Sequence, residues 1–124
     1  MLVYLAVMCL ESIAQEDVIQ NTRLAIKAGN AKELIKQMNE MVDLAFDGEK
    51  GSYSKTQAEF VLRDFFKKHP PGDFEYIHRG ASKEGLRYAI GKYGALNGNF
   101  RVVIYIKPQR NNTYLIDLLD FSKE

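Results

Sequence analysis

Apolar positions change their spacing twice along this chain. An unbroken apolar run, Leu2–Leu10, comes first. From about residue 16 the apolar residues recur at helical intervals, and from about residue 74 they alternate as in strands. Val18, Ile19, Ala25 and Ile26 predict a helix over 16–28, ended by Gly29, which enters the left-handed conformation at little cost. Asn30 can cap a second helix, with Glu33 in the third position to bond back. Leu34, Ile35, Met38, Met41 and Val42 extend its apolar stripe. Val42, Leu44 and Phe46 then alternate with Asp43 and Ala45 as a short strand. Turn residues Asp47–Gly51 lead to a short return at Ser52 and Tyr53.

Ser54 and Gln57 form a capping box for a third helix. Ala58, Val61, Leu62, Phe65 and Phe66 share one face of it, and His69-Pro70-Pro71-Gly72 stops it. Strands follow near 74–81, 86–96, 99–108 and 113–121. Short connections make them an antiparallel meander, and Asn97-Gly98 is the expected two-residue hairpin turn. Gly91 and Gly94 inside a strand mark a bulge or bend, hence a strongly curved sheet. The fold class is therefore α+β: three N-terminal helices packed in a curved antiparallel sheet, with a short hairpin before the third helix and a four-strand meander after it.

The 124 residues suit one domain, and 46% hydrophobic with 27% charged is ordinary globular composition. The leader is the exception. Ser12-Ile13-Ala14 after the apolar run has the small residues of a signal-peptidase site, so residues 1–14 read as a signal-peptide remnant and 15–124 as the domain. The run is too short for a membrane-spanning helix, which needs about 20 apolar residues. Cys9, the only cysteine, lies within it. The expected location is secreted or periplasmic, which sets nucleic acid aside as a partner despite seven Lys and Arg against one Glu between 76 and 110.

Several segments carry a resemblance: Lys27–Leu34, Gly51–Glu59, Asp64-Phe65-Phe66, His69-Pro70-Pro71 and Tyr88-Ala89-Ile90-Gly91. With the order of elements, they resemble a small secreted bacterial family of unknown function within the nuclear transport factor 2-like superfamily. The resemblance implies a cystatin-like cone whose sheet wraps the helices, often with a pocket at the open end. It supplies no catalytic motif. Relatives in the superfamily include isomerases, dehydratases and binding proteins, so the fold assigns no reaction.

The chemistry-bearing candidates are few. Asp117 sits mid-strand between Ile116 and Leu118, where aspartate is disfavoured. His78 alternates onto one face with Phe74 and Tyr76. These two are the only catalytic candidates. Tyr76, His78, Tyr88, Tyr105 and Asp117 form the ligand-binding set, because tyrosine pairs apolar area with a polar handle. No metal-ligand spacing is present, and no cofactor is called for. The expected function is a binding or interaction domain for a small molecule or protein, using a pocket or the outer sheet face. The alternative is an isomerase, dehydratase or hydrolase with an acid/base group inside the cone. Apolar residues on both faces of the last two strands add an expected homodimer through the sheet. Export predicts that mass spectrometry of the protein from its native host finds Gln15 as the first residue. Intact Met1–Ala14 on a cytosolic protein would contradict it.

Overall fold

The computed structural model describes residues 16–81, 85–111 and 113–124. The expected leader, residues 1–14, lies outside the described residues, as do Ser82, Lys83 and Glu84 of one expected turn and Asn112 of another. Helix α1 covers residues 16–28. It is followed by α2 (Ala31–Ile35), β1 (Met38–Phe46), β2 (Glu49–Ser54), α3 (Lys55–Lys68), β3 (Pro71–Ala81), β4 (Arg87–Ala95), β5 (Gly98–Pro108) and β6 (Tyr114–Lys123).

All six strands join one sheet in the order β2-β1-β6-β5-β4-β3. The hairpin and the meander are thus not separate. They meet where β1 pairs with β6, and that pairing is parallel, a departure from the all-antiparallel expectation. Sequence spacing constrains only strands joined by short connections. The β1–β6 contact closes across the whole of α3 and the meander, so nothing local announces it. Its ends are tied by Ile116 N–H donating to the Gln37 carbonyl (2.7 Å) and Asp47 N–H to the Phe121 carbonyl (2.6 Å).

The second helix is much shorter than its stripe implied. It ends at Ile35, and Met38 and Val42 belong to β1. Both are buried, whereas Met41, which a helical stripe would bury, is 57% exposed. A separation of four residues satisfies a period of 3.6 and a period of 2 almost equally, so the pair alone does not discriminate. The hairpin at Asn97 also shifts by one residue. Ala95 pairs with Gly98, leaving Leu96 and Asn97 as the connection. Only Gly98 in that turn has positive φ. Asn97 is instead held from outside: its amide donates to the Lys68 carbonyl at 2.9 Å, closing the end of α3. The two-residue turn with both φ positive is Asp47-Gly48, between β1 and β2.

Helix α3 forms as its residues dictate. The Ser54–Gln57 capping box is complete, and the backbone N–H of His69 closes the helix on the Phe65 carbonyl at 2.8 Å. Its apolar face fills the inner side of the sheet. The Phe65 ring lies 4.4 Å from Phe121, 5.1 Å from Phe46 and 5.2 Å from Phe100, centroid to centroid. Phe74, Tyr93, Leu62, Leu119 and Ile116 complete a core with no exposure at all. Helix α1 buries Val18, Ala25 and Ile26, and its charged side meets the edge strand β3 through Glu16–Arg79, Arg23–Glu75 and Lys27–Asp73. Such surface pairs contribute little, so α1 is held mainly by its buried face.

Phe65 and Phe66 retain only 7% and 5% exposure. Truncating either to alanine is expected to cost about 3–5 kcal/mol in denaturant unfolding. A loss under about 1 kcal/mol at both positions would mean that this face of α3 is not the core contact.

Candidate functional site on the outer face of the sheet

Two β-bulges decide which side chains face outward. In β6, Ile116 pairs with Ile106 and Leu118 with Tyr105, so Asp117 is the extra residue. The strand changes parity there. Ile116 points inward before the bulge and Leu119 and Phe121 after it, while Leu115 and Leu118 face out. Aspartate in the middle of an apolar strand is thus explained: a bulge needs no ladder partner and suits a residue of low strand propensity. In β3, Tyr76 pairs with Gly91 and His78 with Ile90, making Ile77 the extra residue, 58% exposed. The bulge moves His78 to the outer face. It does not share a face with Phe74 and Tyr76, as simple alternation implied.

On that outer face His78 meets Tyr88 and Tyr105. The Nε2 atom of His78 is 3.2 Å from the Tyr88 hydroxyl, and the two ring centroids are 5.6 Å apart. Tyr88 is directly opposite Tyr105, with centroids 6.3 Å apart, and Tyr105 is opposite Leu118. Gly80 makes this possible. A Cβ there would lie 2.4 Å from the Tyr88 ring, so the absent side chain lets Tyr88 lean across β3. Ile90 and Val103 form the neighbouring row. All these side chains are partly exposed, and together they make an apolar and aromatic band over the middle strands.

The other two expected site residues go elsewhere. Tyr76 points inward, and its hydroxyl donates to the Ile19 carbonyl of α1 at 2.7 Å. Burial pushes its phenol pKa well above the usual tyrosine range, although Arg79 and Arg23 nearby oppose the shift. The Arg79 guanidinium lies 5.4 Å from the ring centroid. Asp117 lines an open depression of about 320 Å³ with Leu86, Lys107 and Pro108. Tyr76 is therefore separated from His78, Tyr88 and Tyr105, which the sheet brings together.

Inside the fold there is little room for chemistry. Among the described residues the only polar or charged residue in the buried set is Thr22, and no histidine or carboxylate joins it. No group of metal-ligating side chains occurs among the described residues. Sequence reasoning missed one surface feature, an open cleft of about 440 Å³ at the C-terminal end of α3. Phe46, Phe65 and Phe100 line it with His69, whose ring is 5.0 Å from Phe65 and 4.8 Å from Phe100. Its walls come from α3, β5, the β1–β2 turn and the end of β6, and no local motif foretells such an assembly.

Comparison with known proteins agrees with this architecture. The family profile described as "Domain of unknown function (DUF4783)" matches residues 19–122. A crystal structure of a DUF4783 protein from Bacteroides ovatus is 32% identical with a TM-score of 0.78, covering 84% of this chain and 93% of its own. A Nostoc punctiforme protein of unknown function with a cystatin-like fold has a TM-score of 0.70 at 6% identity, covering 91% of this chain and 90% of its own. An NTF-2 like protein of unknown function from Silicibacter pomeroyi has a TM-score of 0.65 at 9% identity, covering 90% of this chain and 94% of its own. The last two similarities concern the fold alone. No curated protein matches the chain.

Replacing Tyr76 by phenylalanine is expected to cost about 1 kcal/mol at neutral pH, since the Ile19 carbonyl loses its donor. A phenol pKa raised by folding stabilises the native state fully below about pH 10, and that contribution falls away as pH rises further. The variant should therefore lose less stability than the parent between neutral and strongly alkaline pH. Parallel unfolding curves for the two proteins across that range would contradict the burial of this hydroxyl.

Proposed function

We propose a function from the premise that this chain belongs to the DUF4783 family, a bacterial family of unknown function with NTF2-like and cystatin-like structural neighbours. It is an interaction domain that makes its contacts through the outer face of the sheet. One observation carries this reading: the inner face is filled by α3 and its aromatic cluster, while Tyr88, Tyr105, Ile90, Val103 and Leu118 form an uncovered band outside. Aromatic and aliphatic side chains beside polar handles are the usual substance of protein contact surfaces. We read the bulged sheet as a cone around the helices, and the chain as an exported protein freed of its apolar leader, working outside the cytosol.

A small-molecule isomerase, dehydratase or hydrolase has less support. Such an enzyme needs an acid/base group in a water-poor pocket, where its pKa is tuned. His78 lies outside on the sheet, and Asp117 lines an open depression. The aromatic cleft beside His69 is the better-formed location for a small ligand, and its 440 Å³ falls within the usual range of ligand sites.

Site-specific photo-crosslinking in the native host tests the reading. A photoreactive residue at Tyr105 is expected to yield a discrete cross-linked species, whereas one at the exposed Lys67 of α3 yields none. Absence of any species at both Tyr105 and Tyr88 would count against the outer face as the contact surface.

A further inference from the structure

We infer that the partner of the outer face is an acidic protein segment, lying extended over β4 and β5 with a carboxylate seated between Lys92 and Arg101. This rests on the outer face being the contact surface, as proposed above, and adds the chemistry of what it meets. The antiparallel register of β4 and β5 sets three outward rungs in a row. Tyr88 stands opposite Tyr105, Ile90 opposite Val103, and Lys92 opposite Arg101. The face therefore runs from aromatic to aliphatic to cationic along the strands. Same-face neighbours on a strand are about 6.7 Å apart, so the three rungs span about 13 Å.

The Lys92–Arg101 rung is the informative one. Like charges directly opposite each other on neighbouring strands destabilise a sheet. Both residues are exposed, and neither forms an ion pair among the described residues. The nearby carboxylates are engaged elsewhere. Glu75 is opposite Lys92 on β3, but its carboxylate lies 3.3 Å from Arg23 and 3.5 Å from Lys27 of α1. Asp73 also pairs with Lys27, at 3.5 Å. On the other side, Arg101 faces Ser122 of β6, whose hydroxyl donates to Asp120 at 3.1 Å. Glu124 shares a surface depression with Lys92 but makes no ion pair with it. Two cations thus stand side by side at the end of an apolar strip, with no carboxylate of the described residues bound to either. A partner's carboxylate supplies the missing charge: the Arg101 fork can take both of its oxygens, and Lys92 adds a point charge.

The surroundings disfavour a broad anionic surface such as a phospholipid bilayer. Asp120 lies opposite Val103 on the next strand, and Asp43 of β1 lies opposite Leu118, although Lys50 at 3.6 Å partly offsets it. These carboxylates repel extended negative charge and leave room for one carboxylate over β4 and β5. An extended segment matches the rungs, because its own side chains alternate with the same period. Apolar residues two apart meet the tyrosine and Ile90–Val103 rungs, and an Asp or Glu two further on meets Lys92 and Arg101. Charge at one end of the strip also fixes the direction in which the segment lies.

The test has two parts. In the isolated protein, Lys92→Gln relieves the repulsion within the rung, so its melting temperature at low ionic strength is expected to equal or exceed that of the parent. A lower melting temperature would mean that Lys92 already has its counter-charge within the chain, and would overturn the inference. In the native host, a photoreactive residue at Tyr105 is combined with Lys92→Glu and Arg101→Glu, with Lys67→Glu of α3 as the control. The cross-linked species is expected to fall at least about fivefold in the double variant and to persist in the control. Sequencing of the attached segment is expected to find Asp or Glu within a few residues of the cross-link. A synthetic peptide of that sequence is expected to bind the purified parent at least about tenfold more tightly than the double variant, and amides in place of its carboxylates should abolish the difference. If the double variant fails to fold, Lys92→Gln with Arg101→Gln takes its place with the same expectations. A cross-link indifferent to the charge reversal, or one to lipid or to a second copy of this chain, would overturn the acidic partner while leaving the outer face as the contact surface. No cross-link at either Tyr105 or Tyr88 would count against the contact surface itself, and the inference would fall with it.

Discussion

The packing of Phe65 against the inner face of the sheet is the contact on which the rest of this structure depends. Its ring touches Phe46 of β1, Phe100 of β5 and Phe121 of β6, so one side chain joins the hairpin to the meander. Those strands come from both sides of the parallel β1–β6 seam. The capping box and the Phe65–His69 closure fix both ends of α3 and therefore the height at which this ring enters. Filling the interior in this way also has a functional consequence. Among the described residues the buried set holds no carboxylate or imidazole whose pKa such a core could tune.

What the interior gives up, the outer surface gains, and two bulges arrange it. Were Ile77 an ordinary ladder residue rather than the bulge, His78 would follow Phe74 and Tyr76 into the core. Were Asp117 an ordinary ladder residue rather than the bulge, Leu119 and Phe121 would face solvent while Leu118 entered the core. Each bulge shifts one strand by a single residue, and because strand side chains alternate, every residue beyond it changes face. The band of Tyr88, Tyr105, Ile90, Val103 and Leu118 is the result. Helices cover only one side of the sheet, so this band has no partner within the described residues.

The fold was legible where local chemistry is strong. Helix α3 carried its cap, stripe and stop in consecutive residues, and the meander strands carried alternation and short connections. Helix α2 was misjudged because Met38 and Val42 satisfy both periods. The hairpin turn was displaced because Asn97 bonds to Lys68 across the fold, a contact no dipeptide preference reveals. The parallel β1–β6 pairing joins residues far apart in sequence and leaves no local trace. At the site, Tyr88 and Tyr105 were legible only as members of a five-residue set with Tyr76, His78 and Asp117, chosen for apolar area joined to a polar handle. Their assembly with His78, and the exclusion of Tyr76, turned on a bulge that only pairing registers disclose. Asp117 did carry a signal, an aspartate in an apolar strand, but its meaning was geometric rather than catalytic.

Oxidative footprinting of side chains, comparing the protein in its native host with the purified protein in dilute solution, tests most directly that the outer sheet face is where this domain makes contact. Tyr88, Tyr105 and Leu118 are expected to be less reactive in the host than in isolation, while the exposed Phe60 of α3 and His69 at the cleft react equally in both. Unchanged reactivity on the sheet, or protection confined to the cleft around His69, would contradict the account.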